Sequence, residues 1–188
     1  MEVRPATAAD APAIATVHVR SWQAAYRGLL PQSYLDALDP DQSVDRWRSL
    51  LAATRWPSTG ILVLVHDDSL SSFGTKAPED GTAARVTGFA GLGPTRDDDE
   101  DPHTVGELQT LYLHPDVWRR GGGSRLLQAA QGQLVRAGFQ VASAWVLETN
   151  SRARTFYEGH DWRFDGTSKP HDWGTFTVTD VRYRVSLV

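Results

Sequence analysis

The chain contains no cysteine. A disulfide scaffold, a cysteine nucleophile and zinc or iron–sulfur sites with cysteine ligands are therefore excluded. Basic residues are also outnumbered, since 19 Lys and Arg against 23 Asp and Glu give a formal net charge of -4. Because no overall positive field is available to hold a polyanion, we expect no nucleic-acid partner.

Long hydrophobic runs are missing as well. No apolar segment approaches the roughly 18 residues that a membrane-spanning helix needs, and Met1–Pro5 lack the charged-then-apolar layout of a signal peptide. The histidines show no spacing typical of metal ligands, and isolated histidines seldom bind metal. We therefore expect no membrane partner, no bound metal and a cytoplasmic location.

What the chain has in quantity is core-forming material. Of its 188 residues 40% are hydrophobic, and 7 Trp, 5 Tyr and 6 Phe supply large apolar surfaces. This length suits one domain, and no internal repeat or second hydrophobic block requires another. We predict a single domain that spans residues 1–188.

The hydrophobic pattern changes along the chain from helical to alternating. After a short strand at 3–5, helices are predicted to begin near Thr7, Pro31 and Pro40. Later helices are predicted after the glycines at 121–123 and after Asn150. This order indicates an α/β domain with a mixed sheet and helices packed on it. The remaining strands are predicted at 61–65, 86–92, 106–113, 141–147, 162–164 and 178–187.

Two polar segments lie between predicted strands. Residues 67–84 are poor in large apolar side chains and predict a mobile loop. Residues 94–104 predict a second loop, which contains five consecutive acids from Asp97 to Asp101. We expect these acids to be solvated, and the alternative is that they attract a cationic amine.

The segment from Leu111 to Leu127 carries the clearest chemistry. A predicted strand ends, the chain turns at Pro115, and the glycines at 121–123 open a helix. N–H groups at a helix start lack internal partners, and without Cβ atoms in the way they can approach phosphate oxygens. Arg119 and Arg120 add positive charge beside them. The segment therefore predicts a site for a pyrophosphate or a similar anion.

Two well-known phosphate-binding loops do not match this segment. A Walker A loop requires Gly-Lys-Ser/Thr, which is missing here, and a dinucleotide fingerprint requires a third glycine where Leu126 stands. Taken alone, the segment leaves two other interpretations open. One is a glycine turn that merely begins a packed helix, and the other is a nucleotide-phosphate-binding α/β protein unrelated to coenzyme A.

The wider pattern resembles the GNAT superfamily of acyl-CoA-dependent N-acetyltransferases. Residues 118–123 resemble its motif A, Gln/Arg-x-x-Gly-x-Gly/Ala, in which both glycines are present and Trp118 replaces Gln or Arg. Residues 150–157 resemble the family's Asn-x-x-Ala-x-x-Phe-Tyr segment, and residues 3–10 its first strand and helix. The resemblance covers nearly the whole chain and implies a mixed sheet flanked by helices on both faces.

The resemblance also implies how acetyl-CoA, the acyl donor, binds. In such enzymes the pantetheine arm lies against the strand before the glycine turn, where an N–H also polarises the thioester carbonyl. Asn150 matches an asparagine that contacts the cofactor arm, and its alternative role is an ordinary helix cap. The strand residues concerned are Leu111, Tyr112 and Leu113. The turn that would hold the pyrophosphate comprises Arg119, Arg120, Gly121, Gly122, Gly123 and Ser124.

Two further positions match catalytic residues of the family. Tyr157 corresponds to a tyrosine near the cofactor sulfur, where a protonated phenol donates its proton to the leaving thiolate; the alternative is a core aromatic. Glu107 lies where several members carry a glutamate base; the alternative is a surface-facing strand residue. Strict alternation would place Glu107 with Leu111 on one face of the strand, and Leu108 with Tyr112 on the other.

These features predict an acyl-CoA-dependent N-acyltransferase that moves acetyl from acetyl-CoA directly to a primary amine. The alternative is a non-catalytic acyl-CoA-binding regulatory domain of the same fold. The acceptor would be a small-molecule or peptide amine, which the sequence does not identify. His18, Trp22 and Tyr26 share one helical face, where core packing is favoured over a role in the acceptor site. A homodimer is compatible with the resemblance.

Overall fold

The computed structural model describes residues 1–67 and 84–188. The loop predicted at 67–84 lies, apart from its two end residues, outside the described residues. The strands of the described chain join one sheet in the order β1-β2-β3-β4-β5-β7-β6, in which β4 and β5 are parallel and all other neighbours antiparallel. The strands are β1 (Glu2–Pro5), β2 (Gly60–Asp67), β3 (Ala84–Pro94), β4 (Val105–Leu113), β5 (Val141–Leu147), β6 (Arg163–Asp172) and β7 (Thr177–Ser186).

Helices cover both faces of this sheet. The described helices are α1 (Ala11–Ala25), α2 (Gln32–Asp36), α3 (Pro40–Ala52), α4 (Gly122–Arg136) and α5 (Ser151–Glu158). Leu126 of α4 and Tyr157 of α5 belong to the core on one face, and Trp47 of α3 packs near Phe89 of β3 on the other. The predicted mixed sheet with helices on both faces is confirmed. None of the described helices is long and apolar enough to cross a bilayer.

Local hydrogen bonds and one left-handed glycine mark the ends of three helices. The Asp10 carboxylate accepts the Thr7 N–H at 2.7 Å just before α1. Gly138 has a φ of +93° just beyond the end of α4, a conformation that favours glycine. The Asn150 side-chain oxygen accepts the Ala153 N–H at 3.1 Å and caps α5, so the expected cap role of Asn150 is confirmed.

A bulge in β4 changes which side chains face the site. Gly91 pairs with Thr110 and Leu92 with Leu108, which leaves Gln109 as an extra residue. Strict alternation is therefore wrong for this strand. Leu108 shares the α4 face of the sheet with Leu111, whereas Tyr112 packs on the α1 face.

Strands β4 and β5 separate next to this bulge. Their parallel ladder runs only from Val105 opposite Val141 to Glu107 opposite Ser143. The rest of β5 remains paired with β7, and the rest of β4 with β3. A gap between the two central strands follows, with backbone groups on its edges that do not pair across it.

The acidic segment Asp97–Asp101 is solvated only in part, because three of its acids are exposed and the other two have buried side chains. Arg182 of β7 binds Asp99 with two hydrogen bonds of 2.7 and 2.8 Å, and it also contacts Asp97 at 3.3 Å and Asp165 at 2.7 Å. The side chains of Asp97 and Glu100 are only 8% and 3% exposed. Arg182 thus matches the charges of Asp97, Asp99 and Glu100, and the segment connects the β3–β4 loop to the β6–β7 hairpin.

Strand β6 is much longer than the three residues predicted at 162–164. It continues to Asp172, and nearly all its side chains are exposed. It lacks a buried face, so its sequence shows no hydrophobic alternation. Its pairing with β7 is interrupted by an irregularity between Phe164 and Ser168.

Replacing Arg182 with Ala is expected to lower the free energy of unfolding by about 3 kcal/mol, because Asp165 then loses its cation and the charge network around it is broken. The buried Asp97 and Glu100 keep Lys169 and Arg184 as ion-pair partners. Urea denaturation followed by circular dichroism measures the change. The control is Arg48→Ala, which removes an exposed ion pair with Asp45 and should cost about 0.5 kcal/mol or less. Equal losses in the two variants would contradict the structural role of Arg182.

Candidate active site

A cavity of about 440 Å³ lies at the gap between β4 and β5. On one face of the sheet its wall includes Gly123 in the first turn of α4 and Phe156 of α5. On the other face it reaches Ser21 and Tyr26, in and just after α1. Residues from both faces line the same space, so two molecules that approach from opposite faces can meet inside it.

Most residues predicted from the sequence line this cavity. Strand β4 contributes all three of its predicted positions, and Asn150 joins them from the start of α5, so this residue is both a helix cap and a cavity residue. The predicted residues in the wall are Leu111, Tyr112, Leu113, Arg119, Gly121, Gly123, Ser124, Asn150 and Tyr157.

The carbonyl oxygen of Leu113 is already occupied by protein donors. Ser21 Oγ donates to it at 2.6 Å, and the indole N–H of Trp118 donates at 2.9 Å. A carbonyl oxygen has two lone pairs, so both acceptor positions are filled. Trp118, the departure from the family's Gln or Arg, thus ties the glycine turn to the end of β4.

The glycine turn has the geometry of an anion-binding helix start. Gly121 is the N-cap of α4 with a φ of +79°, and Arg119 has a φ of +60°. The first N–H groups of α4 lack partners within the helix and lie at the positive end of its dipole. At Gly123 a Cβ would lie 3.2 Å from Phe156 Cε2, so a larger residue would crowd the cavity wall.

Two predicted residues of the turn lie outside the cavity wall. Gly122 faces the core, where a Cβ would lie 2.8 Å from Leu64 Cδ2 and 3.0 Å from Leu113 Cδ2. Its small size is needed for α4 to pack against the sheet. Arg120 is exposed beside the turn and is not among the lining residues.

Glu107 is buried and ion-paired away from the cavity. Its side chain is 2% exposed, and both carboxylate oxygens accept hydrogen bonds from the guanidinium of Arg96. This contact raises the pKa of Arg96. Glu107 is not among the residues that line the cavity, so the structure does not bring it together with Tyr157.

Tyr157 lies in the cavity wall and is 8% exposed. Burial, with a smaller contribution from Tyr112, raises the pKa of the Tyr157 phenol well above its usual value. The phenol therefore keeps its proton throughout the neutral range, as a proton donor must.

Arg152, which the sequence analysis did not single out, adds a second positive charge to the cavity wall beside the glycine turn. Its guanidinium lies 3.8 Å from the centre of the Trp118 ring. Burial and the nearby charge of Arg119 lower the pKa of Arg152. A cation in the first turn of a helix opposes the helix dipole, and this mismatch in α5 is the signal that would have identified Arg152.

The aromatic face of α1 divides between core and cavity. His18 lies among the rings of Trp22, Trp47, Phe89 and Tyr112, and burial, aided by Arg46, lowers its pKa to about 4. Tyr26, just after the helix, lines the cavity, whereas His18 and Trp22 do not.

Comparison with known proteins identifies the family. The model of the acetyltransferase (GNAT) family matches residues 22–162, about three quarters of the chain. The chain belongs to the GNAT family. This membership confirms the resemblance and the N-acetyltransferase class predicted from the sequence.

Individual relatives agree with this assignment. An uncharacterised N-acetyltransferase of Bacillus subtilis (strain 168) is 32% identical over 158 residues, which are 84% of this chain and 78% of that protein. The PaiA N-acetyltransferase of Thermoplasma acidophilum, solved with coenzyme A, has a TM-score of 0.66 at 18% identity and covers 98% of each chain. The yncA protein of Salmonella typhimurium, solved with its cofactor acetyl-CoA, has a TM-score of 0.64 at 20% identity, over 100% of this chain and 94% of that one. At these identities the two structures share the fold with this chain.

Arg152→Ala is expected to weaken coenzyme A binding about tenfold, because a charge-assisted hydrogen bond to phosphate contributes about 1.5 kcal/mol or more. Binding of pantetheine, which lacks the phosphates, should not change. Calorimetric titration measures both ligands, with Arg48→Ala on α3 as the matched control. An equal loss for coenzyme A and pantetheine would place Arg152 away from the phosphates.

Proposed function

We propose that this GNAT-family chain transfers acetyl from acetyl-CoA directly to a primary amine. The observation that carries the proposal is the cavity between β4 and β5, which begins at an anion-binding turn on one face and reaches α1 on the other. A cofactor held at the first face and an amine entering from the second would meet inside the sheet. Holding two reactants together in this way supplies much of the rate acceleration.

The pantetheine arm fits the gap because its amides resemble a peptide. Beyond Glu107, no strand in residues 1–67 and 84–188 pairs with the edge of β4 that faces β5, so this edge can bind such an arm as an added strand. Both acceptor positions of the Leu113 carbonyl are filled, so Leu111 and Tyr112 remain the principal backbone partners. Coenzyme A bound to the PaiA protein and acetyl-CoA bound to yncA support this choice of cofactor.

The pyrophosphate would lie on the turn at the start of α4. Gly123 and Ser124 line the cavity at this end. Arg119 and Arg152 line it beside them and make the region electropositive. Two neighbouring guanidinium groups repel each other unless an anion lies between them. The same arrangement favours a diphosphate over a neutral ligand.

The proposed reaction needs a proton donor but no covalent enzyme intermediate. The amine nitrogen attacks the thioester carbonyl, a C–N bond forms, and the C–S bond breaks as the thiolate leaves. Tyr157 donates its proton to that sulfur, and an N–H on the edge of β4 stabilises the oxyanion. Glu107 has no part in these transfers, because its side chain is buried and both its oxygens bind Arg96.

Tyr157→Phe is expected to lower kcat about 100-fold, as is typical for loss of a general acid, with little change in acetyl-CoA affinity. Steady-state thiol release and calorimetry measure the two quantities. Tyr183→Phe is the matched control, since Tyr183 is a buried tyrosine that does not line the cavity. A full-rate Tyr157→Phe enzyme would remove Tyr157 from the mechanism.

Thermal stabilisation tests the cofactor, and coenzyme A release tests catalysis. Coenzyme A is expected to raise the Tm of the protein, whereas ATP and NAD at the same concentration should not. A panel of primary amines with acetyl-CoA should then release free thiol. Stabilisation by ATP and not by coenzyme A would contradict the cofactor assignment, and cofactor binding without turnover would favour a regulatory domain.

The proposal extends to the organisation of the protein. We propose one catalytic domain over residues 1–188, which is supported by the single sheet that includes strands from Glu2 to Ser186. A cytoplasmic location and a homodimer belong to the same proposal. Size-exclusion chromatography with light scattering gives the mass that distinguishes a dimer from the 20.7 kDa monomer.

A further inference from the structure

The end of the cavity that lies opposite the glycine turn adjoins a carboxylate of β7. Tyr26, Tyr112 and Leu147 line this end. In the ladder between β5 and β7, Leu147 stands opposite Asp180. Side chains of directly opposed residues point to the same face of a sheet with Cβ atoms about 5 Å apart. Asp180 is not itself a lining residue, but its side chain lies next to Leu147 on the same face of the sheet.

Asp180 pairs with a histidine, whereas the other acids named here pair with arginines. Asp97, Asp99 and Asp165 pair with Arg182, and Glu107 pairs with Arg96. In residues 1–67 and 84–188, the ion pair of Asp180 is with His171, whose Nδ1 lies 2.9 Å from Asp180 Oδ2. A histidine cancels the carboxylate charge only when it is itself protonated.

The charge of Asp180 reaches the cavity wall. Burial raises the pKa of Tyr26 and of Tyr112, and the negative charge of Asp180 adds to the rise in both. The Asp180 side chain is 14% exposed, so water screens its charge only partly. A cation at this end of the cavity would therefore be stabilised.

The bond to Asp180 determines the tautomer of the neutral His171 ring. A carboxylate only accepts hydrogen bonds, so the neutral His171 ring carries its proton on Nδ1 and presents a lone pair on Nε2. The ring stacks on Trp173 with centroids 4.6 Å apart, which fixes its plane. Its side chain is 48% exposed, so a proton received on Nε2 can pass to solvent.

We propose that the Asp180–His171 pair binds the ammonium group of the acceptor and removes its proton before transfer. This inference rests on the proposed function, in which a primary amine enters from the α1 face. The side chains around this end are mostly apolar or aromatic, including Trp22, Leu35, Trp173 and Phe176. The substrate class is therefore a primary ammonium on an apolar carbon frame, and a carboxylate next to the amine weakens binding because Asp180 repels it.

The protons balance through this pair. The ammonium N–H bond breaks as its proton moves to His171 Nε2, which forms an imidazolium held by Asp180, and the proton then passes to water. The neutral amine attacks the thioester, and its nitrogen becomes positive as the C–N bond forms. That nitrogen then loses a second proton. This proton replaces the one that the Tyr157 phenol has given to the thiolate. The net products are the amide, free coenzyme A and one proton.

Other charged groups around the pair are already engaged or keep their charge. Lys169, opposite Asp180 on β6, bonds Asp97 at 2.8 Å. Arg182, the next residue on the same face of β7, is held by Asp99 and Asp165. Tyr26 from the end of α1 and Tyr112 from β4 stay protonated well above neutral pH. A change in the pH dependence of turnover in a His171 variant would therefore not come from these groups.

A binding experiment with 2-phenylethylamine tests the site first. With coenzyme A bound, the amine should change the tryptophan fluorescence of the protein, and Asp180→Asn should weaken its binding at least tenfold. Its neutral analogue 2-phenylethanol should bind both proteins equally. Phenylalanine, which adds a carboxylate beside the amine, should bind at least tenfold more weakly than 2-phenylethylamine, and Asp180→Asn should shrink this difference.

The pH dependence of turnover tests proton removal. His171→Asn keeps a donor for Asp180 but removes the Nε2 lone pair. This variant should release thiol from 2-phenylethylamine and acetyl-CoA at least tenfold more slowly at pH 7. Its rate should approach the wild-type rate near pH 10, where about half of a simple alkylamine is neutral. A purely structural defect would not be repaired by raising the pH.

Controls separate this inference from the proposed function. Two variants at exposed positions should behave as wild type. They are Asp45→Asn on α3 and His103→Gln in the turn before β4. Three outcomes would overturn the Asp180–His171 site alone, provided that the protein still binds coenzyme A. They are no amine binding, equal amine affinity in Asp180→Asn and wild type, or a wild-type pH profile in His171→Asn. Failure of the wild-type protein to bind coenzyme A would overturn the proposed function together with it.

Discussion

The parallel ladder between β4 and β5 ends at Glu107 opposite Ser143, and the two strands then diverge. The bulge at Gln109 accompanies this separation, because an extra residue bends its strand and increases the local twist. Backbone groups buried in a sheet need partners. The edges of the gap are therefore a place where a peptide-like ligand completes the structure, and the cavity, the glycine turn and α5 are arranged around it.

The rest of the fold keeps the gap open and gives it two chemically different ends. Trp118 and Ser21 bind the carbonyl of Leu113 from opposite faces and fix the end of β4. At the α4 end, the helix dipole and two arginines provide positive potential. At the α1 end, Arg182 neutralises the neighbouring acids, so Asp180 supplies the negative potential there. The anionic cofactor and the cationic acceptor that we propose would thus be favoured at opposite ends.

The sequence was sufficient for features that depend on neighbours along the chain. Strand β5 has its predicted bounds, and Asn150 caps α5 as its position suggests. Features that depend on distant residues were not predictable. The bulge at Gln109 has no local signature in the sequence, and β6 has no buried face. Asp99 pairs with Arg182, which lies more than 80 residues away in the chain. Arg152 was detectable, since its charge opposes the helix dipole.

Hydrogen–deuterium exchange with and without coenzyme A tests the central claim most directly, namely that the gap between β4 and β5 holds the cofactor. Amides that gain a hydrogen bond or lose contact with water exchange more slowly. We expect coenzyme A to slow exchange in peptides that cover 108–113 and 119–124, with little change in α3. Protection elsewhere, with none in these two segments, would contradict the account.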